Sequence, residues 1–239
     1  MGRAGTGRLP GCDTRVMPAV VTLQPPGRPV RVLVLLAHPD RGHSRVNAHL
    51  QHHLSRRFAE PTAALEVVLR DLYSLYPDFA IDVEAEQQAL ARADLIVWQH
   101  PLQWYSMPAL MKLWLDEVLT HGWAYGHGGH ALAGKDLWLV LSTGGSEAAY
   151  QPQGYNRHFF DAFLSPYEQT AALCGLRFLP PLVLHGAHAI DTTALEAHAE
   201  VYAQRLASWP DWPEIADLPD CPACDTPAQD RPSARGSQP

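Results

Sequence analysis

The chain has 239 residues, of which 46% are hydrophobic, so it can bury a full core and is expected to form one domain with extensions. Its formal net charge is −7, and it has no basic run. This composition argues against a nucleic-acid groove or a polybasic membrane anchor. No apolar stretch approaches the roughly 20 residues of a membrane span. The apolar piece at 18–23 is too short for a signal peptide, so a cytoplasmic location is expected.

The two ends of the chain differ in composition from its centre. Residues 1–28 are rich in Gly, Arg and Pro without apolar periodicity, and 210–239 form a Pro-rich tail, so both are predicted to be disordered around a domain at 29–209. Four cysteines are too few for a disulfide framework in a chain of this length. The pair Cys221 and Cys224 has metal-ligand spacing but no second pair, so we expect no metal there.

Five short apolar runs alternate with helical patterns along the centre of the chain. The predicted strands are 31–37, 65–72, 95–98, 137–141 and one within 177–185. The predicted helices start near Ser44, Asp82, Pro108, Phe159 and Thr192, and the last two extend to about Leu173 and Ser208. This alternation predicts an α/β protein with a doubly wound five-stranded parallel sheet and helices on both faces. The strand order is expected to be 2-1-3-4-5, one of the common orders of such sheets.

Three loops follow buried strands, at 38–47, 101–106 and 142–146. In the order 2-1-3-4-5 they come from strands 1, 3 and 4, whose carboxyl ends lie side by side at the switch point where such sheets bind ligands. Ser44 is a plausible N-cap of the first helix, whose free N–H groups and dipole favour a phosphate. Trp104 and Tyr105 offer a flat aromatic surface, and Gly144 and Gly145 allow close backbone approach. The three loops together predict a site for a planar, phosphorylated group.

Two other loops invite functional interpretations. The segment 73–81 is rich in Tyr, Pro and Phe, which is more typical of a covered interface than of a free loop. In 120–134, His121, His127 and His130 suggest a metal site, but their spacing fits no closed site, so a surface loop is favoured. The piece His127-Gly-Gly is similar to a hydrolase oxyanion loop. The chain nevertheless lacks a G-x-S-x-G elbow, because Ala148 stands where its last glycine is required.

Several blocks in order resemble the flavodoxin-like NAD(P)H:quinone oxidoreductases, and within them the ancillary proteins of glutathione-regulated potassium-efflux systems. The resemblance covers roughly 30–209. It rests on 37–39, 44–47, Tyr-Pro-Asp-Phe at 76–79, 93–101, 103–105, 121–126 and 143–145.

This resemblance implies a flavodoxin-like fold, an FMN cofactor, with FAD as the alternative, and hydride transfer from NADPH or NADH to quinones. It assigns cofactor contacts to all three loops. The phosphate and ribityl chain would be held by His38, Ser44, Arg45, Val46 and Asn47, and the flavin ring by Pro101, Leu102, Gln103, Trp104, Tyr105, Ser142, Thr143, Gly144 and Gly145.

Proton transfer is assigned less directly. Relatives with larger bodies place a Tyr and a His after the glycine loop; Tyr150 matches the Tyr, whereas Asn156 stands at the position of the His. Arg157 and His158 lie nearby, so the expected catalytic residues are Tyr150 and His158. The resemblance also implies a homodimer in which Trp123 and Tyr125 approach the partner's flavin.

Two alternatives of other classes stay open. In the first, the chain is the regulatory subunit of a glutathione-gated potassium–proton antiporter, held at the inner face of the cell membrane, and its flavin is structural or sensory. In the second, it is a flavin-free protein on the same fold, for which Asp40 in the phosphate loop is the only indication.

Overall fold

A computed structural model describes residues 28–62 and 64–218, which form an α/β domain. The strands are β1 (Val30–Leu36), β2 (Leu65–Asp71), β3 (Leu95–Pro101), β4 (Asp136–Ser142), β5 (Arg177–Phe178) and β6 (Leu182–Leu184). The helices are α1 (Val46–Arg57), α2 (Leu72–Leu75), α3 (Val83–Arg92), α4 (Ala109–Val118), α5 (Ser165–Leu173) and α6 (Thr192–Ser208). Among the described residues, no helix combines the length and apolar character that a membrane crossing requires.

The sheet is parallel, in the order β2-β1-β3-β4-β5, with β6 also paired to β4. This confirms the predicted order and the flavodoxin-like architecture. Strand β1 lies at the centre: Val32–Leu36 pairs with Val67–Asp71 on one side and with Leu95–Gln99 on the other. The carboxyl ends of β1, β3 and β4 therefore lie next to one another.

Side chains alternate between the two faces of the sheet and form two cores. On β1, Leu33 and Leu35 belong to the core under α3, α4 and α5, whereas Val32 and Val34 belong to the core under α1 and α6. Strands with both faces covered read as continuous apolar runs, which is why β1, β3 and β4 were recognisable in the sequence.

The fifth strand differs from the prediction of one continuous strand. It is divided into β5 and β6 around Pro180 and Pro181, both of which lack the N–H that a ladder requires. Both pieces still pair with β4, so the topology is unchanged.

Helix boundaries differ at three places. Leu72–Leu75, predicted partly as strand and partly as loop, forms the short helix α2. The helix predicted from Phe159 divides into a 3-10 turn, Phe160–Phe163, and α5. Helix α1 begins at Val46 with Arg45 as its cap residue, although the Ser44 hydroxyl still accepts the N–H of Ala48 at 3.2 Å.

The packed domain extends beyond the predicted boundary at 209. Trp212 is buried in the core under α1 and α6, and a 3-10 turn follows at Pro213–Asp217. The predictions of disorder for 1–27 and for 219–239, and the pair Cys221 and Cys224, lie outside the described residues.

Candidate active site

The loop after β1 presents the N-terminus of α1 to the edge of the sheet. Ser44 and Asn47 are buried there, and Arg45 is exposed. Earlier in this loop, His38 accepts the N–H of Asp40 through Nδ1 at 3.2 Å. The Asp40 carboxylate pairs with His43 at 2.8 Å, and this hydrogen bond holds the Asp40 pKa below its ordinary value. Among the described residues, the N–H groups of Arg45, Val46 and Asn47 donate no hydrogen bond, so the helix N-terminus offers them to a ligand at a polar, partly buried position.

Ser142, the last residue of β4, connects the three loops. Its hydroxyl accepts a hydrogen bond from Asn47 Nδ2 at 2.9 Å, and its carbonyl accepts the N–H of Leu102 at 2.8 Å. Below it, the buried Gln99 amide donates to the carbonyl and side chain of Asn47 and accepts from the Tyr202 hydroxyl at 3.3 Å. The structure therefore brings together loops that are separated by about 60 and 40 residues in the sequence.

The loop after β3 is a tight turn that presents two aromatic rings. Gln103 and Ser106 exchange backbone hydrogen bonds of 2.9 and 3.0 Å, and Trp104 and Tyr105 between them have φ of 48° and 64°. Positive φ at both central residues is the geometry of a type I′ turn, which usually contains Asn and Gly. Trp104 is 94% exposed. Two large residues in a strained conformation point to a functional role for this turn.

The loop after β4 is held against the loop after β6. The buried Thr143 hydroxyl donates to the Gly145 carbonyl at 2.8 Å and lies 3.0 Å from His185 Nδ1. A Cβ on Gly144 would lie 2.8 Å from His188 Nε2, so a larger residue there would have to displace that ring. Among the described residues, the N–H groups of Gly144 and Gly145 donate no hydrogen bond. They remain available to a ligand.

A cavity of about 400 Å³ opens between the loops after β3 and β4. Its wall is largely aromatic, and among the described residues no charged side chain lines it; the lining residues are Leu102, Trp104, Tyr105, Gly145, Ala149, Tyr150, Tyr155 and Asn156. Aromatic walls with a few polar groups are typical of sites for planar organic ligands.

The two predicted catalytic residues lie in different environments. Tyr150 lines the cavity, and burial raises its pKa, an effect that the neighbouring Thr143 hydroxyl opposes. Its ring packs edge-on against Phe160 at 5.3 Å. His158 is exposed outside the cavity wall, with its ring edge-on to Phe163 at 6.2 Å. Only Tyr150 is positioned to contact a ligand in this cavity.

Sequence reasoning did not include several residues that the structure places at the site. Ala149, Tyr155 and Asn156 line the cavity, and His185 and His188 from the loop after β6 pack against Thr143 and Gly144. The signal that could have indicated the two histidines is that their loop also follows a strand of the sheet. Tyr155 has no such signal, because its placement depends on how the long loop after β4 folds back.

The histidines of the loop at 120–134 make local contacts. His121 packs edge-on against Tyr125, and His130 Nδ1 donates to the Gly128 carbonyl at 2.8 Å. Within the described ranges, no group of three or more His, Cys, Asp or Glu side chains is arranged to hold a metal ion. Trp123 and Tyr125 are partly buried against the core under α3, α4 and α5.

The parallel sheet and the three converging loops define a protein of the flavodoxin-like class. Residues 30–206 match the family described by the flavodoxin-like fold, and the chain belongs to that family.

Among its relatives, the glutathione-regulated potassium-efflux system ancillary protein KefF of Citrobacter koseri is 49% identical over 181 residues, covering 75% of this chain and 97% of that protein. General stress protein 14 of Treponema denticola, solved in complex with FMN, has 35% identity and a TM-score of 0.69, with 74% of this chain and 98% of that chain covered. An NADPH-quinone reductase from P. pentosaceus has 29% identity and a TM-score of 0.64, with 74% and 98% covered. These likenesses confirm the resemblance seen in the sequence.

Proposed function

We propose that the protein is an FMN-dependent NAD(P)H:quinone oxidoreductase. The observation that carries this proposal is the aromatic cavity whose wall includes Gly145 of the glycine loop. That loop follows Ser142, which accepts a hydrogen bond from Asn47 at the N-terminus of α1. A solved relative binds FMN, and another is a quinone reductase. FAD is the alternative flavin, and NADPH or NADH is the electron donor.

The residues present fit a flavin. The FMN phosphate would lie at the N-terminus of α1, where the N–H groups of Arg45, Val46 and Asn47, the Ser44 hydroxyl and the helix dipole favour an anion. His38 would stand beside it. Asp40 does not oppose this assignment, because its carboxylate is paired with His43.

The ring system would lie across the loops after β3 and β4. Pro101, Leu102, Gln103, Trp104 and Tyr105 would line one side of the ring. On the other side, the free N–H groups of Gly144 and Gly145, next to Ser142 and Thr143, would donate to its polar edge. Donors aimed at that edge also stabilise negative charge on a reduced ring.

A flavin bound there would supply the redox chemistry between the nicotinamide nucleotide and the quinone. The chain's own residues would bind the flavin and offer a hydrogen-bond donor to the acceptor. A phenol is protonated at neutral pH, and burial raises the pKa of Tyr150 further, so its hydroxyl can donate a hydrogen bond to an acceptor in the cavity. The exposed His158 would assist only if its loop moved toward the cavity.

A negative charge introduced at the N-terminus of α1 tests the assignment of the FMN phosphate to this position. Ser44→Glu places a carboxylate at the helix N-terminus and should weaken FMN binding at least about tenfold by repulsion of the phosphate. The matched control is Ser55→Glu, an exposed serine near the other end of the same helix. FMN is measured by absorbance of the purified protein and by its release on denaturation. Wild-type protein that neither contains nor binds FMN would exclude the oxidoreductase.

A second function is favoured by the 49% identity to an ancillary protein of a potassium-efflux system. In this role the protein, as a cytoplasmic homodimer, would bind a potassium–proton antiporter at the inner face of the cell membrane, with its flavin structural or sensory. Potassium efflux from vesicles that carry such an antiporter should rise on adding the protein. Equal stimulation by wild type and by an FMN-free Ser44→Glu variant would show that regulation does not need the flavin.

A further inference from the structure

The loop after β6 is joined to the glycine loop after β4 by backbone hydrogen bonds. The Thr143 N–H donates to the Leu184 carbonyl at 2.9 Å, and the Thr143 carbonyl accepts the N–H of Ala187 at 2.8 Å. The Gly145 carbonyl accepts the N–H of Gly186 at 2.8 Å. The carbonyl and N–H of a trans peptide point in opposite directions. Each carbonyl bonded to the loop after β6 therefore turns the next N–H of the glycine loop away from it.

The Thr143 hydroxyl links the same two loops through side chains. It donates to the Gly145 carbonyl at 2.8 Å, and His185 Nδ1 lies 3.0 Å from its oxygen. A hydroxyl has one proton, and here that proton is used in the bond to Gly145. His185 Nδ1 therefore carries a proton of its own and donates it in a hydrogen bond to the hydroxyl oxygen. The result is a hydrogen-bonded chain from His185 through Thr143 to Gly145.

Ring contacts hold the His185 side chain in this orientation. Its imidazole packs edge-on against Phe160 at 5.2 Å and tilted against Tyr150 at 5.3 Å. Burial lowers the pKa of His185, an effect that Glu147 opposes, so the ring is neutral at pH 7. A neutral imidazole with its proton on Nδ1 has a single donor, and Thr143 receives it. The described residues that line the cavity do not include His185, so it reaches a ligand there only through the residues that it contacts.

We propose that His185 is a positioning residue for the glycine loop: its Nδ1–H holds the Thr143 hydroxyl on the Gly145 carbonyl and thereby keeps the free N–H groups of the loop directed at the polar edge of the flavin. This inference rests on the proposed oxidoreductase function and adds a residue of the loop after β6 to the flavin site. A glycine backbone populates many conformations unless it is anchored, so the Gly145 carbonyl needs a fixed donor. No proton is transferred, because the hydrogen-bonded chain acts through orientation alone.

The affinity for FMN tests the inference without turnover. The dissociation constant is measured by calorimetry, with FMN added to the flavin-depleted, full-length protein. His185→Ala should weaken FMN binding about three- to ten-fold, the usual contribution of one hydrogen bond. His185→Asn, whose side-chain amide can replace the Nδ1–H donor, should restore most of the affinity. His52→Ala, at an exposed histidine on α1, is the control and should bind FMN as the wild type does.

A double variant separates the route through Thr143 from a local packing effect. Thr143→Val removes the hydroxyl but keeps nearly the same shape, so adding His185→Ala to it should weaken FMN binding no further. If the losses of the two single variants add in full, the inference is wrong. Wild-type protein that binds no FMN would overturn the proposed function and this inference with it, whereas FMN binding with unchanged affinity in His185→Ala would overturn only the role of His185.

Discussion

Burial lowers the pKa of His100, a residue at the end of β3 near the site. Its side chain is fully buried at the end of β3, its Nδ1 donates to the Pro101 carbonyl at 2.9 Å, and its ring stacks on Tyr167 at 5.7 Å. Within the described residues, Nε2 is buried without a partner. Desolvation lowers the His100 pKa from 6.5 to about 4. A proton on this ring would have no compensating charge, so the folded protein keeps it neutral.

The free energy of unfolding should therefore fall as the pH drops from 6.5 to 4. Over this window the unfolded chain binds a proton at His100, whereas the folded chain does not. The contribution of neutral His100 to the free energy of unfolding is therefore fully present above pH 6.5. About 3 kcal/mol would be lost by pH 4. Urea unfolding at several pH values measures the slope. His100→Gln should flatten it, and His52→Gln, an exposed histidine on α1, should not. Equal slopes in all three proteins would contradict this assignment.

Trp104 has a positive φ of 48° in the turn after β3. Glycine adopts a φ of 48° without steric cost, and removing the exposed indole sacrifices little buried apolar surface. Trp104→Gly should therefore raise the free energy of unfolding by about 1 kcal/mol. If the proposed function is right, the same change should weaken binding of the quinone because the cavity loses an aromatic wall. Trp104→Ala is the control: it removes the ring but keeps the strained conformation. A destabilised Trp104→Gly protein would show that the turn is not strained.

At the scale of elements, Glu86 connects two helices to the edge of the sheet. This carboxylate on α3 is fully buried and accepts from Arg70 on β2 at 2.9 Å, from Trp114 on α4 at 3.0 Å and from the Tyr76 hydroxyl. Burial, reinforced by Glu86, raises the pKa of Tyr76 to about 12, so this hydroxyl remains a donor. The three donors compensate a charge that would otherwise be costly to bury.

Removing Glu86 should destabilise the protein by about 3–5 kcal/mol, because Glu86→Ala leaves the Arg70 guanidinium, 22% exposed, without its partner. Chemical denaturation gives the difference. Glu84→Ala, on the exposed side of the same helix, should change stability by no more than about 0.5 kcal/mol. If both variants lose the same amount, the buried network does not hold α3 in place.

In the molecule as a whole, residues after α6 complete the core under α1 and α6. Trp212 packs edge-on against Trp138 of β4 at 4.8 Å, its Nε1 donates to the Arg205 carbonyl at 2.8 Å, and the Arg205 guanidinium lies over its ring. Trp212→Ala should lower the free energy of unfolding by about 3–5 kcal/mol through lost burial and the cavity left behind. Trp104→Ala, which removes an exposed indole, should cost far less. Equal losses would mean that this segment is not part of the core.

The alternation of strands and helices, the sheet order and the bounds of α6 could all be predicted from the amino-acid sequence. The strands and helices follow from local periodicity, since strands buried on both faces are continuous apolar runs and amphipathic helices repeat every 3.6 residues. The order of the strands follows instead from the usual topology of doubly wound sheets. The sequence also indicated that the loops after β1, β3 and β4 share one edge, because parallel strands place their carboxyl ends together.

The side chains that form the cavity and the end of the domain could not be predicted from the sequence and are seen in the folded structure alone. Asn156 and Tyr155 reach the cavity because the loop after β4 folds back at Gly154, and Trp212 is buried because β4 presents Trp138 to it. The same applies to His158, which lies close to Tyr150 in sequence but outside the cavity. These outcomes depend on contacts between residues far apart in the chain or on the path of a loop without periodicity, and neither leaves a local pattern in the sequence.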